Sequence, residues 1–391
     1  MSKKITVDQH YVPRFYLKNF SEIKGYGKKE KVLISFFQFN GGIYKEKIPV
    51  KSICYNDFFY GEDGVLEKEL SDKECILWSR TIHYIIENPE KELKKEMIDN
   101  IKDFAIYQYT RTLAMLNHNK QSMFELLSTY LINSNTNLEK EIVDEVVRKK
   151  INDETHASLI LSMCEELVKE IDDLKVSVIK FITVNKLIIS DMPVIVINPF
   201  SISRSGFANV GTVIFFPIAN DLLVVIHDEK IYNFCNYFNV VENEQDVINL
   251  NRYQLLSAEE RIMSDNIECL KKTVADDEAM VNRIEFGNNS KVNSRCDGNG
   301  ILLGVRSRNL KYLYMLSFLK LPKSLKKVPV ECRGTFSRKY SYDSRVSLLI
   351  RVYKLPGLLR TYKEFSVEEI NKRKKGYSKL LNFMDDYWQV P

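Results

Sequence analysis

His10, Arg14 and Asn19 stand in the run Asp8-Gln-His-Tyr-Val-Pro-Arg-Phe-Tyr-Leu-Lys-Asn-Phe20, interleaved with the rings of Tyr11, Phe15, Tyr16 and Phe20. An imidazole exchanges a proton near neutral pH, and a guanidinium offers a planar fork to a carboxylate or phosphate. Tyr11 and Asn19 add hydrogen-bonding groups for a substrate. Pro13 fixes its own φ and pushes Val12 toward an extended conformation, so the segment is held in one shape. The same residues also fit a structural plug, in which the rings fill the core and His10 and Arg14 satisfy buried partners.

Other reactive groups lie further along. Glu67 and Glu74 are seven residues apart, two helical turns, hence on similar faces; they suit acid/base work, a metal, or a solvated helix surface. Arg111 sits in the apolar stretch Phe104–Leu116 and needs an anionic partner, either a protein carboxylate or a substrate phosphate. Asp191, in Ser190-Asp191-Met192-Pro193 between two strand patterns, is the strongest carboxylate candidate; its alternative role is an Asx turn that caps backbone amides. Ser190, Asn251 and Arg252 are candidates for orienting a substrate, and Asn251-Arg252 also suits hydrogen bonding to the Ser190–Pro193 turn. His227, a lone histidine ending a strand, reads as structural. The central expectation is that His10, Arg14, Arg111 and Asp191 converge, joined by Glu67 and Asn251.

These residues must be positioned by recognisable elements. Val32–Phe39 and Ile43–Ile48, separated by Gly41-Gly42, predict a hairpin, and Gly61–Gly64 predicts a turn. Helical spacing begins at Val65, a long helix spans Lys91–Leu116, and helices continue to Leu174. Alternating apolar strands follow, then a helix from Glu242 to Ser264. The expected fold is α+β: a mainly antiparallel sheet with a long-helix subdomain and a basic C-terminal extension. A core over 1–286 has its sheet part at 1–60 and 175–240 and its helical part at about 65–174. A linker or long loop covers 287–300, and the extension 301–391.

The net charge of +5 hides an asymmetry: residues 306–391 hold 20 Lys or Arg against 7 Asp or Glu, a net +13, and leave −8 for the rest. A basic, aromatic-bearing segment on an acidic body suits contact with nucleic acid or another polyanion, or docking on that body. Lys326, Lys327, Arg333, Arg338, Lys339 and Tyr340 are the candidate nucleic-acid contacts. Seven cysteines form no Cys-x-x-Cys pair and read as scattered buried thiols. No apolar run approaches the roughly 18–20 residues of a membrane span, and the first residues lack a signal core, so a cytoplasmic protein is expected. Phosphate-loop, dinucleotide, zinc-protease and nucleophile-elbow motifs are absent, which weakens those enzyme classes.

The run His10–Phe20 resembles the opening signature of a widespread microbial family known as domain of unknown function 4238. Leu66-Glu67, Arg111-Thr112, Ser190-Asp191-Met192-Pro193, Phe216-Pro217 and Asn251-Arg252 are similar to later pieces of its pattern; Met192 departs from the usual Ser-Asp-Asn-Pro. The resemblance implies a shared fold and a shared site rather than a particular reaction. Histidine, arginines and a carboxylate together suit phosphodiester cleavage: His10 moves a proton, the arginines stabilise the phosphorane charge, and Asp191 orients the histidine or holds a divalent metal such as Mg²⁺ or Mn²⁺. The expectation is a nuclease or toxin-like effector acting on RNA or DNA, and the bacterial setting of the family implies antiphage defence. The alternatives are a non-catalytic sensor or adaptor with a protein partner in a defence complex, and a nucleotide- or anion-binding module.

Overall fold

The computed structural model describes residues 6–25, 27–134, 139–153, 156–199, 206–234, 236–286, 292–296, 301–305, 310, 313–319 and 338. The chain opens with β1 (Asp8–His10), α1 (Arg14–Lys18), β2 (Glu22–Lys24), β3 (Lys31–Gln38), β4 (Ile43–Pro49) and β5 (Tyr55–Asp57). A helical half follows: α2 (Val65–Lys73), a π turn (Glu74–Trp78), α3 (Ser79–Glu87), α4 (Lys95–Thr110), α5 (Leu113–Ser134), α6 (Lys140–Asp153) and α7 (His156–Glu170). The chain then returns to sheet with β6 (Lys175–Phe181), β7 (Ile189–Ser190), β8 (Ile195–Ile197), β9 (Val213–Ala219), β10 (Leu222–His227) and β11 (Phe238–Val241). It continues through α8 (Glu244–Ser257), β12 (Arg261–Ser264), α9 (Ile267–Val274), α10 (Asp277–Phe286), β13 (Val292–Cys296) and β14 (Ile301–Val305). The fold is α+β with mostly antiparallel sheets. Among the described residues no helix is long and apolar enough to cross a membrane.

The central sheet runs β11-β6-β10-β9-β8, with only the β11–β6 pair parallel. Every residue of β9 and β10 is buried, so both faces of this sheet are covered. The period of two then divides the strands between two cores. Val224, Ile226 and Phe216 face the first core, which holds Tyr11, Tyr16, Phe20, Trp78 and Phe104. Leu223, Val225 and Phe215 face the second, against Tyr253, Leu255 and Leu256 of α8. A second sheet, β2-β3-β12-β7 with β4 on β3, closes the side of the body; Gly41 and Gly42, at φ 87° and 62°, turn β3 into β4 as predicted.

The opening aromatics are therefore core residues. Tyr16 stacks on Phe216 at 5.4 Å and donates from its hydroxyl to the Pro217 carbonyl at 2.6 Å, which ties the first helix to a strand two hundred residues on. Tyr16→Phe is expected to cost about 1–3 kcal/mol, because the buried carbonyl loses its donor. Urea unfolding measures this, and an unchanged midpoint would show that Pro217 finds another donor.

Four expectations change, the first being the helix expected over 242–264, which ends at Ser257 and is followed by β12 at Arg261–Ser264. The predicted helix over 91–116 is two helices, because Arg111 (φ −86°, ψ 8°) ends α4 and the Thr112 hydroxyl accepts from the Met115 N–H to open α5. The predicted linker 287–300 contains β13, paired antiparallel with β14 across that boundary. Of the free cysteines, Cys54 and Cys164 are buried as expected, but Cys75 is exposed on the π turn.

Candidate functional site

Pro13, at φ −65° and ψ 143°, leaves the chain extended before α1, so Arg14 begins that helix one turn from His10. β1 pairs with β5, which sets His10 opposite Tyr55 with ring centroids 5.5 Å apart. Behind the strand, the Tyr60 hydroxyl donates to the His10 carbonyl (3.1 Å) and the Tyr60 N–H donates to Gln9 Oε1 (2.6 Å). Gln108 Nε2 donates to the next carbonyl, that of Tyr11, at 3.1 Å. Gly61 and Gly64, at φ 110° and 64°, then turn the chain into α2, which carries Glu67.

Arg111 is fully buried and completes this network. Its Nε and Nη2 donate to Gln108 Oε1 (3.1 and 3.0 Å), its Nη1 donates to Glu74 Oε1 (2.6 Å), and the guanidinium lies over Trp78 and Phe104. Burial works against its charge, and Glu74, Tyr60 and Glu67 more than offset that, so the guanidinium stays ionised. Its anionic partner is thus a protein carboxylate. Glu74 sits at the first position of the π turn, a geometry common at functional sites.

The groups left for chemistry are His10, Arg14 and Glu67. Glu67 is half-buried; burial pushes its carboxyl up to about 7, the like charge of Glu74 adds to this, and Arg111 and Arg14 oppose it. Burial and then the Arg14 charge pull the His10 imidazole below its ordinary value, against backbone groups of Asp8 and Lys51. His10 Nε2 is buried with no hydrogen-bond partner among the described residues. Arg14 is exposed and lies within electrostatic reach of both. The arrangement offers a base, an acid that titrates near neutral pH and a cation whose charge reaches both.

Asp191 belongs elsewhere. Its two oxygens accept from three backbone N–H groups, those of Glu259 (2.8 Å), Glu260 (2.7 Å) and Arg261 (3.2 Å), in the turn between α8 and β12. Burial pushes its carboxyl up to about 6 while those amides and Arg261 pull it down. This is the amide-capping role, and it is backbone amides, not His10, that the Asp191 oxygens bond. Ser190 bonds to Gln254, Met192 and Ser257; Asn251 pins the Ile188 N–H (3.0 Å) and the Lys186 carbonyl (2.9 Å). Arg252 pairs with Asp276 at 2.7 Å. These three hold β7 and α10 on α8 rather than a substrate, and the bond to the Ser190–Pro193 turn comes from Gln254, whose Nε2 donates to the Pro193 carbonyl at 2.8 Å.

Tyr11 is buried on the Asp191 side, where burial, Cys54 and Asp191 raise its hydroxyl far above the ordinary range. Asn19 caps α1, and its Nδ2 is buried without a partner among the described residues. Arg338 is 2% exposed and bidentate on Asp173 (2.8 and 2.7 Å), with Phe207 and Asn209 carbonyls on Nη1. Its guanidinium is thus held by Asp173 and by backbone carbonyls of the core. Lys326, Lys327, Arg333, Lys339 and Tyr340 lie outside the described residues. Gln108, Tyr60 and Glu74's pairing were missed; a lone glutamine three residues before Arg111 in an apolar helix was the available signal. Among the described residues no group of three or more His, Cys, Asp or Glu is placed to hold a metal.

No curated protein and no solved structure matches the chain. Residues 8–268, from the strand that carries His10 to the start of α9 and so more than half of the sequence, match the family model described as protein of unknown function (DUF4238), and the chain belongs to that family.

Proposed function

We propose that the protein cleaves RNA by acid/base transfer between His10 and Glu67, with Arg14 on the phosphate. The observation that carries this reading is the buried Nε2 of His10, without a partner among the described residues, together with exposed Arg14, whose charge reaches both His10 and half-buried Glu67. Neutral His10 takes the proton of a ribose 2′-hydroxyl, O2′ attacks phosphorus, and the P–O5′ bond breaks. Protonated Glu67 delivers its proton to the departing O5′, while Arg14 offsets the charge gathering on the phosphorane oxygens. The products are a 2′,3′-cyclic phosphate and a 5′-hydroxyl. Arg111 is a positioning residue: it holds Glu74 and, through Gln108, the Tyr11 carbonyl next to His10. The basic extension supplies affinity for the RNA backbone, which is a reading of its charge. An effector of this kind suits a role in bacterial antiphage defence, alone or with a protein partner.

The test is cleavage of labelled single-stranded RNA and of DNA of the same sequence, in EDTA and in Mg²⁺ or Mn²⁺, by the parent protein, His10→Ala and Arg14→Ala. RNA cut in EDTA to a cyclic phosphate, intact DNA, and loss of cutting in both variants is the expected result. RNA bound through Arg14 but never cut would leave an anion-binding module.

The rate should follow a narrow bell in pH. His10 must be neutral, so kcat/KM falls below its lowered pKa, under 6.5; Glu67 must be protonated, so kcat/KM falls again above about 7. A profile that keeps rising to pH 9 would remove Glu67 as the acid.

A further inference from the structure

A cavity of about 660 Å³ opens at the end of β10, away from the His10 groups, between the α3–α4 connection and the segment leading into β11. Ligand sites commonly fall in this size range. Its floor includes His227, which is 3% exposed; one ring nitrogen, Nε2, shares a hydrogen with the Ser177 hydroxyl at 3.0 Å, and the other, Nδ1, is buried with no partner among the described residues. The hydroxyl of Tyr237, also lining the cavity, is likewise buried and unpartnered. Both side chains bring hydrogen-bonding capacity to the cavity lining that a ligand can use.

The rest of the lining specifies the ligand's charge. Lys175 is taken by Glu229 at 3.6 Å, which leaves Glu90 and Glu92 at the rim as net negative charge, and among the described residues no arginine lines the cavity. A phosphate or carboxylate would be repelled. Phe234, packed on the His227 ring at 4.3 Å, adds an aromatic wall beside Tyr237. Burial draws His227 down to about 4, so the ring is neutral at physiological pH and adds no positive charge. Aromatic walls and carboxylates around a neutral hydrogen-bonding floor are the elements that bind organic cations.

We infer that this cavity binds a small organic ammonium ion, its charge toward Glu90 and Glu92, its apolar part against Phe234 and its polar atoms on His227 and Tyr237. The site is separate from the cleavage chemistry and does not depend on it.

Calorimetric titration of the full chain with phenethylammonium, and with phenethyl alcohol as its uncharged counterpart, tests this. Submillimolar binding of the ammonium and none of the alcohol is expected. The exposed pair Glu90→Gln/Glu92→Gln should weaken binding roughly tenfold without affecting the fold. Tyr237→Phe should weaken it several-fold while leaving thermal stability unchanged or higher, since the hydroxyl has no partner among the described residues. Equal affinity for the alcohol, tighter binding of adenosine monophosphate, or unchanged affinity in either variant overturns the proposal.

Discussion

Glu67→Gln should abolish RNA cleavage, lowering kcat/KM by about 10²–10⁴-fold, and yet leave the protein more stable above neutral pH. The loss follows because an amide cannot protonate the departing oxygen. The gain follows from the sign of the pKa displacement: Glu67 is raised from its ordinary 4.5 to about 7, so the folded protein binds this proton more tightly than the unfolded chain does. Its favourable contribution is complete below about 4.5 and is lost as pH rises through 7. Above pH 7 the ionised carboxylate, close to Glu74, opposes folding; glutamine removes that charge, for a gain on the order of 1 kcal/mol once solvent screening of a half-exposed group is allowed for. Denaturant midpoints at pH 5 and pH 8.5, measured beside the cleavage assay, separate the effects. Equal destabilisation at both pH values, with activity lost only in proportion, would make Glu67 a structural residue.

Asp191→Ala should give the largest loss of stability of any single substitution discussed here, about 3–5 kcal/mol. Three part-buried N–H groups lose their acceptor at once, and the turn that joins α8 to β12 loses what shapes it. Cleavage should fall only as far as the folded population does, and residual folded protein, isolated at low temperature, should keep its specific activity. Asp191→Asn, which retains one acceptor oxygen, should recover part of the stability. A folded, stable and inactive Asp191→Ala would return Asp191 to the chemistry and overturn the division of roles argued above.

The contrast between these carboxylates shows where sequence is informative. The groups around His10 were legible because they are near one another along the chain or on simple helical spacing: His10 and Arg14 flank Pro13, and Glu67 and Glu74 are two turns apart, with Glu74 opening the π turn. Arg111 announced its need for an anion by being charged in an apolar helix. Asp191 was ambiguous for a physical reason. A carboxylate before proline reads the same whether it meets an imidazole or three amides, and the amides come from residues 259–261, whose position depends on how α8 packs against β7. The two-core arrangement was half legible: β9 and β10 are apolar throughout, which requires cover on both faces, but not which helices provide it. His227 read as structural because its Ser177 bond is indeed that, and the cavity it lines, which no sequence pattern marks, is what prompts the proposed ligand role.

The bond from Tyr16 to Pro217 has a consequence in time. All the residues proposed for proton transfer and charge neutralisation, together with Arg111, are synthesised within the first 111 positions, but the strand that clamps the opening helix is made later. At about 5–20 residues per second, roughly 10–40 s separate Tyr16 from Pro217 on the ribosome. During that interval the nascent chain holds every reactive side chain without the frame that aligns them. On the proposed reading, cleavage therefore has to wait until most of the family domain has been translated.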